Sequence, residues 1–110
     1  MKVQRYEIYF ADLNPTQGSE IHKIRPVVIV SHNAMNKHLE TVVTCPLTSS
    51  LHPTWRSRQQ ISCAGKPAEI AVDQIRTISK TRLRQKIDTL SKTDAAQLRR
   101  LISEMYGEAS

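Results

Sequence analysis

Gly18-Ser19-Glu20-Ile21-His22-Lys23-Ile24-Arg25-Pro26 runs directly into Val27-Val28-Ile29-Val30, so a polar loop ends in a cation set at the mouth of an apolar strand. Proline fixes its own φ and biases the preceding residue toward extended backbone, which predicts Arg25 at the strand entrance with its direction set. The apolar, β-branched run that follows reads as a buried strand. Reactive side chains are often carried on a loop edge held by a rigid scaffold. From these letters alone, a solvated strand-entry arginine reads the same way.

Upstream, Tyr6 to Leu13 is rich in strand formers and predicts a first strand. Asn14-Pro15-Thr16-Gln17-Gly18-Ser19 stacks turn formers, and the connection from Asn14 to Ile24 spans eleven residues. That is long for a loop in a small domain, and such loops tend to be functional or disordered.

Downstream, Ser31–Leu39 reads as a loop with one helical turn, and Thr41–Cys45 as a third strand with Pro46 marking an edge or bulge. Trp55 to Cys63 alternates, putting Trp55, Ser57, Gln59, Ile61 and Cys63 on one face and Arg56, Arg58, Gln60 and Ser62 on a wet one. Ala64-Gly65-Lys66-Pro67 turns into a strand over Glu69–Ile78, interrupted by Asp73-Gln74. Ser91, with Asp94 three residues on, has the form of a helix start. Leu98, Leu101, Ile102 and Met105 then make one apolar stripe, closed by Gly107. The stripe predicts packing on a sheet. Together these elements predict a mainly β, α+β domain spanning 1–110, a small barrel of about five strands with a late helix.

The chain has 110 residues and a formal net charge of +6. No apolar run approaches the roughly 20 residues of a membrane span, and no apolar segment follows the N-terminus as in a secretory signal. The expectation is a cytoplasmic protein with no membrane contact. Cys45 and Cys63 suit small core hydrophobes in a reducing compartment, and His22, His32, His38 and His52 show no metal-ligand spacing. We expect no metal and no cofactor. The positive charge favours polyanions. Arg76, Lys80, Arg82, Arg84 and Lys86 form an acid-free run, and Arg56 and Arg58 add a second pair. Either set reads as a solvated face or as a nucleic-acid footprint.

Five blocks in order resemble the MazF/PemK/Kid toxins of bacterial toxin–antitoxin systems. They are Glu7–Thr16, Gly18-Ser19-Glu20, Arg25–Ser31, Pro46-Leu47-Thr48-Ser49, and Asp73–Ile78 with Lys80 and Arg82-Leu83. The resemblance implies an SH3-like small barrel with a C-terminal helix, working as a homodimer. It implies a metal-independent endoribonuclease that cuts single-stranded RNA and leaves 2′,3′-cyclic phosphate and 5′-hydroxyl ends. It also implies a cognate antitoxin whose acidic, poorly ordered segment blocks the enzyme. By position, Arg25 is the expected catalytic acid/base and Thr48 the holder of the scissile phosphate. Ser19 and Glu20, with the basic His22 and Lys23, belong to the loop over the RNA, and Gln74 to a base contact. Asp73 resembles the acidic position of the PemK/Kid branch. Two departures stand out: Ile21-His22-Lys23 replaces the common Gln-Gly-Gly, and Ala71 stands where that branch has an arginine.

Metal-free RNA cleavage needs an acceptor for the 2′-OH proton, positive charge for the phosphorane, and a donor to the leaving oxygen. Arg25 suits the last two, since a guanidinium offers charge and forked donors but is a poor base. Glu20, Asp73, His22 and His52 are the candidates for the base. Trp55 reads as a base-stacking platform or as core or dimer interface. Arg56, Arg58 and Arg76 are the cations expected to meet RNA. The alternative to an enzyme is a binding module of the same barrel type, a gyrase-poison toxin or an RNA-binding barrel.

Overall fold

The computed structural model describes residues 2–13 and 24–107. Its strands are β1 (Glu7–Asp12), β2 (Ile24–Ile29), β3 (Thr41–Thr48), β4 (Arg58–Cys63), β5 (Lys66–Ala71), β6 (Arg76–Ser79) and β7 (Leu83–Thr89). A short helix α1 (Asn33–His38) joins β2 to β3, and α2 (Lys92–Tyr106) follows β7. The sheet runs β4-β5-β3-β2-β1-β7, and β6 pairs with a different stretch of β3. It curls into a half-barrel carrying the C-terminal helix.

β2 explains why its sequence is apolar without alternation. Val28 and Val30 join one core cluster with Ile8, Leu47, Ile70 and Leu98, the last from α2. Val27 and Ile29 join a second cluster with Tyr9, Val42, Ile78 and Leu83. A strand buried on both faces has no polar side to show. Arg25, half-buried, sits two positions before Val27, opposite Ala11 of β1.

β3 is the strand shared by the two halves of the sheet. Thr41–Thr44 pair with β6, and Leu47 and Thr48 pair with β5. Pro46 is therefore not at a sheet edge, as its type suggested; it pairs with Val27 of β2. It lies between the two ladders on the other side of β3, where a missing N–H breaks no pairing.

Seven strands replace the expected five or so. The run Glu69–Ile78 is split by a 3-10 turn over Val72–Gln74, so Asp73 and Gln74 end one strand and begin the approach to another. β7 lay unread inside the basic run. It has one buried residue, Leu83, and pairs with β1 through register shifts that disturb alternation.

α2 is bounded as its sequence predicts. Ser91 Oγ accepts from the Asp94 N–H at 3.1 Å, and Gly107 is the C-cap. Leu98 is fully buried, and Leu101, Ile102 and Met105 pack on the same cluster. Cys45 is buried, Cys63 half-buried, and both are free thiols. Among the described residues, no helix is long and apolar enough to cross a membrane.

Candidate active site

Three structural elements bring their ends to one place. β2 delivers Arg25, the end of β3 delivers Thr48, and the loop after β3 folds back to deliver His52 and Trp55. With Arg58 of β4 and Gln74 of the 3-10 turn, these residues line one cleft of about 160 Å³. Arg25 and Thr48 also face a larger, mainly apolar groove of about 670 Å³ lined in part by Phe10, Pro26, Pro67 and Ile87. The two residues thus form the wall shared by both depressions.

The Arg25 guanidinium has no hydrogen-bond or ion-pair partner among the described residues. Thr48 Oγ1 accepts from the Ser50 N–H at 3.0 Å, which leaves its own proton to donate elsewhere. A free forked cation beside a hydroxyl donor is suited to a tetrahedral anion.

Behind this pair lies a buried ionic frame. Residues directly opposed in an antiparallel ladder put their side chains on the same face, and Arg58 opposes Ala71 while Gln60 opposes Glu69. Arg58 Nη1 lies 2.6 Å from Glu69 Oε2, and its Nε lies 2.8 Å from Asp73 Oδ1. Gln60 Nε2 donates to Glu69 Oε1 at 2.6 Å, and the His52 N–H donates to the same oxygen at 2.5 Å. Ser57 Oγ donates to Asp73 Oδ1 at 2.8 Å.

The charges follow from these contacts. Burial alone would raise the Glu69 carboxyl, but Gln60, the His52 N–H and Arg58 outweigh it and hold it below the usual range. The Arg58 guanidinium, and then Ser57, lower Asp73 against its own partial burial. Arg58 is in turn raised, first by Asp73. All three groups stay ionised at neutral pH.

The frame also supports an aromatic pair. The His52 and Trp55 rings stack with centroids 3.9 Å apart and planes 9° from parallel. The Arg58 guanidinium carbon lies 4.7 Å from the Trp55 ring centroid. Trp55 is thus not core; it is half-exposed at the cleft.

The expected residues divide. Arg25, Thr48, His52, Arg58 and Gln74 come together, and Asp73 adjoins them through Arg58. Arg56 points away and pairs with Glu104 of α2, and Arg76, exposed on β6, does not line the cleft. Ser19, Glu20, His22 and Lys23 lie outside the described residues. The basic run is largely engaged: Lys80 donates to the Asn36 carbonyl, Arg82 to the Asp12 carbonyl at 3.1 Å, and Arg84 and Lys86 pair with Asp12 and Glu7. Those charges brace the segment Lys80–Lys86 against β1 and α1.

Glu69, Gln60 and Ser57 were missed by sequence reasoning. One signal was present: Glu69 is an acid beside the apolar Ile70-Ala71-Val72, and a buried acid needs a cation. Likewise, the face expected to be wet holds exposed Gln60 and Ser62 but a nearly buried Arg58. The His52–Ser57 loop folds over that end of the strand.

Residues 4–106 match the family of PemK-like, MazF-like toxins of type II toxin–antitoxin systems. The chain belongs to this family. It is 34% identical to the endoribonuclease MazF of Staphylococcus saprophyticus over 96% of this chain and 92% of that one. It is 35% identical to the endoribonuclease MazF of Staphylococcus epidermidis over 83% of this chain and 80% of that one. The fold of this MazF-like toxin matches a mycobacterial endoribonuclease solved in complex with its cognate antitoxin. That match has a TM-score of 0.83 at 22% identity and covers 98% of both chains. A MazE–MazF structure from Deinococcus radiodurans matches with a TM-score of 0.82 at 16% identity, covering 99% and 100%.

Proposed function

We propose that this toxin endoribonuclease cuts single-stranded RNA, mRNA included, in the cleft between Arg25 and Thr48, by attack of a ribose 2′-oxygen on the adjoining phosphate. The P–O5′ bond breaks, leaving a 2′,3′-cyclic phosphate and a 5′-hydroxyl. The 2′-OH gives its proton to a protein base, and the departing 5′-oxygen receives one. Arg25 supplies charge to the phosphorane and a proton-bearing donor to the leaving oxygen, while the Thr48 hydroxyl holds a non-bridging oxygen. The observation that carries this reading is the Arg25 guanidinium, unpartnered among the described residues, sharing the rim of one cleft with the Thr48 hydroxyl.

Asp73 acts through Arg58, because Arg58 and Ser57 already occupy its oxygens. Glu20, His22 and His52 stay the candidates for the proton acceptor. No step in this scheme uses a metal. The protein works in the cytoplasm as a homodimer and is held inactive by an antitoxin. An acidic antitoxin segment suits a chain of net charge +6, and one laid in the larger groove covers Arg25 and Thr48.

The test is incubation of the purified protein with long single-stranded RNAs in EDTA, followed by mapping of both product ends. Discrete cuts with cyclic-phosphate and 5′-hydroxyl ends support the reading. A folded protein that leaves every RNA intact, or 5′-phosphate ends, contradicts it.

A further inference from the structure

We infer that His52 and Trp55 together form a stacking platform that seats one nucleobase of the RNA next to the scissile phosphate, so that His52 serves as an aromatic surface and not as the proton acceptor. This rests on the cleavage reading above and names a binding role within the same cleft.

Four observations carry it. The rings lie flat on one another at 3.9 Å and 9°, a parallel stack in which each ring covers one face of the other and fixes its tilt. The plate is anchored from below: the His52 N–H is bound by fully buried Glu69, and Arg58 sits against the Trp55 ring. Both residues line the cleft that holds Arg25 and Thr48. Finally, neither ring nitrogen of His52 has a hydrogen-bond partner among the described residues. A histidine that shuttles protons is normally oriented by a partner on one nitrogen, which selects the tautomer. Here the backbone is fixed and the ring is oriented by stacking alone.

Trp55 is 49% exposed, so part of its ring surface stays open at the cleft. Every base has a π face, so aromatic plates hold single strands with tolerant specificity. Glu69 and Arg58 become positioning residues. They touch no RNA in this reading but set the height and tilt of the plate.

Trp55 is the only tryptophan in the chain, so its emission reports directly on the platform. The probe is a 2′-O-methylated single-stranded RNA carrying the sequence at which wild type cuts, which lacks the attacking hydroxyl. Saturable quenching of Trp55 on titration is expected, with double-stranded RNA of the same sequence leaving emission unchanged. His52→Ala is expected to weaken binding of the probe about tenfold, and His52→Phe to recover most of that loss. On cleavable RNA, His52→Ala should raise KM more than it lowers kcat.

Wild type that cuts RNA while its emission ignores the probe overturns the platform and leaves the cleavage reading standing. His52→Phe as defective in kcat as His52→Ala also overturns it, by making His52 a proton carrier. Wild type that neither cuts nor binds RNA overturns the cleavage reading and the platform with it.

Discussion

Arg58 reaches Asp73 across the β4–β5 ladder, with Nε 2.8 Å from Oδ1, although fifteen positions separate the two in the chain. Along the strand, the residue two before Asp73 is Ala71, which offers no charge. Across the strand, the residue opposite Ala71 is Arg58. A guanidinium therefore stands beside the Asp73 carboxylate, delivered by strand pairing and not by sequence proximity. The same side chain reaches Glu69, so one cation pairs with two acids and ties the cleft to the strands behind it.

Removing that cation should be costly. Arg58→Ala leaves Glu69, at 0% exposure, without its counter-ion. Losing one partner of a buried pair costs about 3–5 kcal/mol. Urea unfolding at pH 7 should show a loss of that order, and the loss should shrink toward pH 4, where Glu69 can take up a proton. A loss below about 1 kcal/mol would mean that the pair behaves as a surface contact.

Acid should destabilise the wild type through four carboxyls. Glu69 and Glu7 are lowered despite burial, Glu7 by Lys86, the Gln4 N–H and Tyr9. Asp73 is lowered first by Arg58, and Asp88 by the Ala64 and Thr89 N–H groups. A carboxyl whose folded pKa lies below its unfolded one contributes stability that is full above the unfolded value, about 4, and is lost as pH falls through the folded one. Melting temperature should hold from neutrality to about pH 5 and decline below it. A flat profile down to pH 3 would refute the set.

Asp73 should matter by position. Its depressed pKa and occupied oxygens make it a weak base, so Asp73→Asn should slow cleavage less than about tenfold and leave the shape of the pH–rate profile unchanged. A loss of about 10²–10⁴ with the profile's acid limb gone would instead make it the general base.

One turn offers a gain. Ala64 and Gly65 have φ of 50° and 81° and join β4 to β5 as a two-residue hairpin. Type I′ turns of this kind favour Asn at the first position, because alanine is strained there. Ala64→Asn should stabilise the fold by about 1 kcal/mol, read as a rise in melting temperature. A fall would contradict the strain.

Much of the scaffold was legible from local chemistry. The β2 run, the Ser91 cap, the Gly107 stop and the stripe from Leu98 to Met105 each declare themselves within a few residues. Arg25 at a strand mouth follows from the proline after it. What stayed hidden depends on pairing distant strands. The split at Val72–Gln74, the edge strand within Leu83–Thr89 and the Arg58–Glu69 pair are set by register, which side-chain pattern alone does not give. The His52–Trp55 plate likewise needs the loop to fold back over β4. Charge counting likewise does not reveal that four of the five cations from Arg76 to Lys86 bind their own scaffold.

The central claim, that RNA is cut at the guanidinium of Arg25, is tested most directly by single-turnover cleavage of one mapped RNA by wild type and Arg25→Ala, in EDTA and with folding checked by circular dichroism. The account predicts a rate lower by about 10²–10³-fold in a mutant that melts within a few degrees of wild type. A folded mutant that cuts the same sites at a rate within a few-fold of wild type would contradict it.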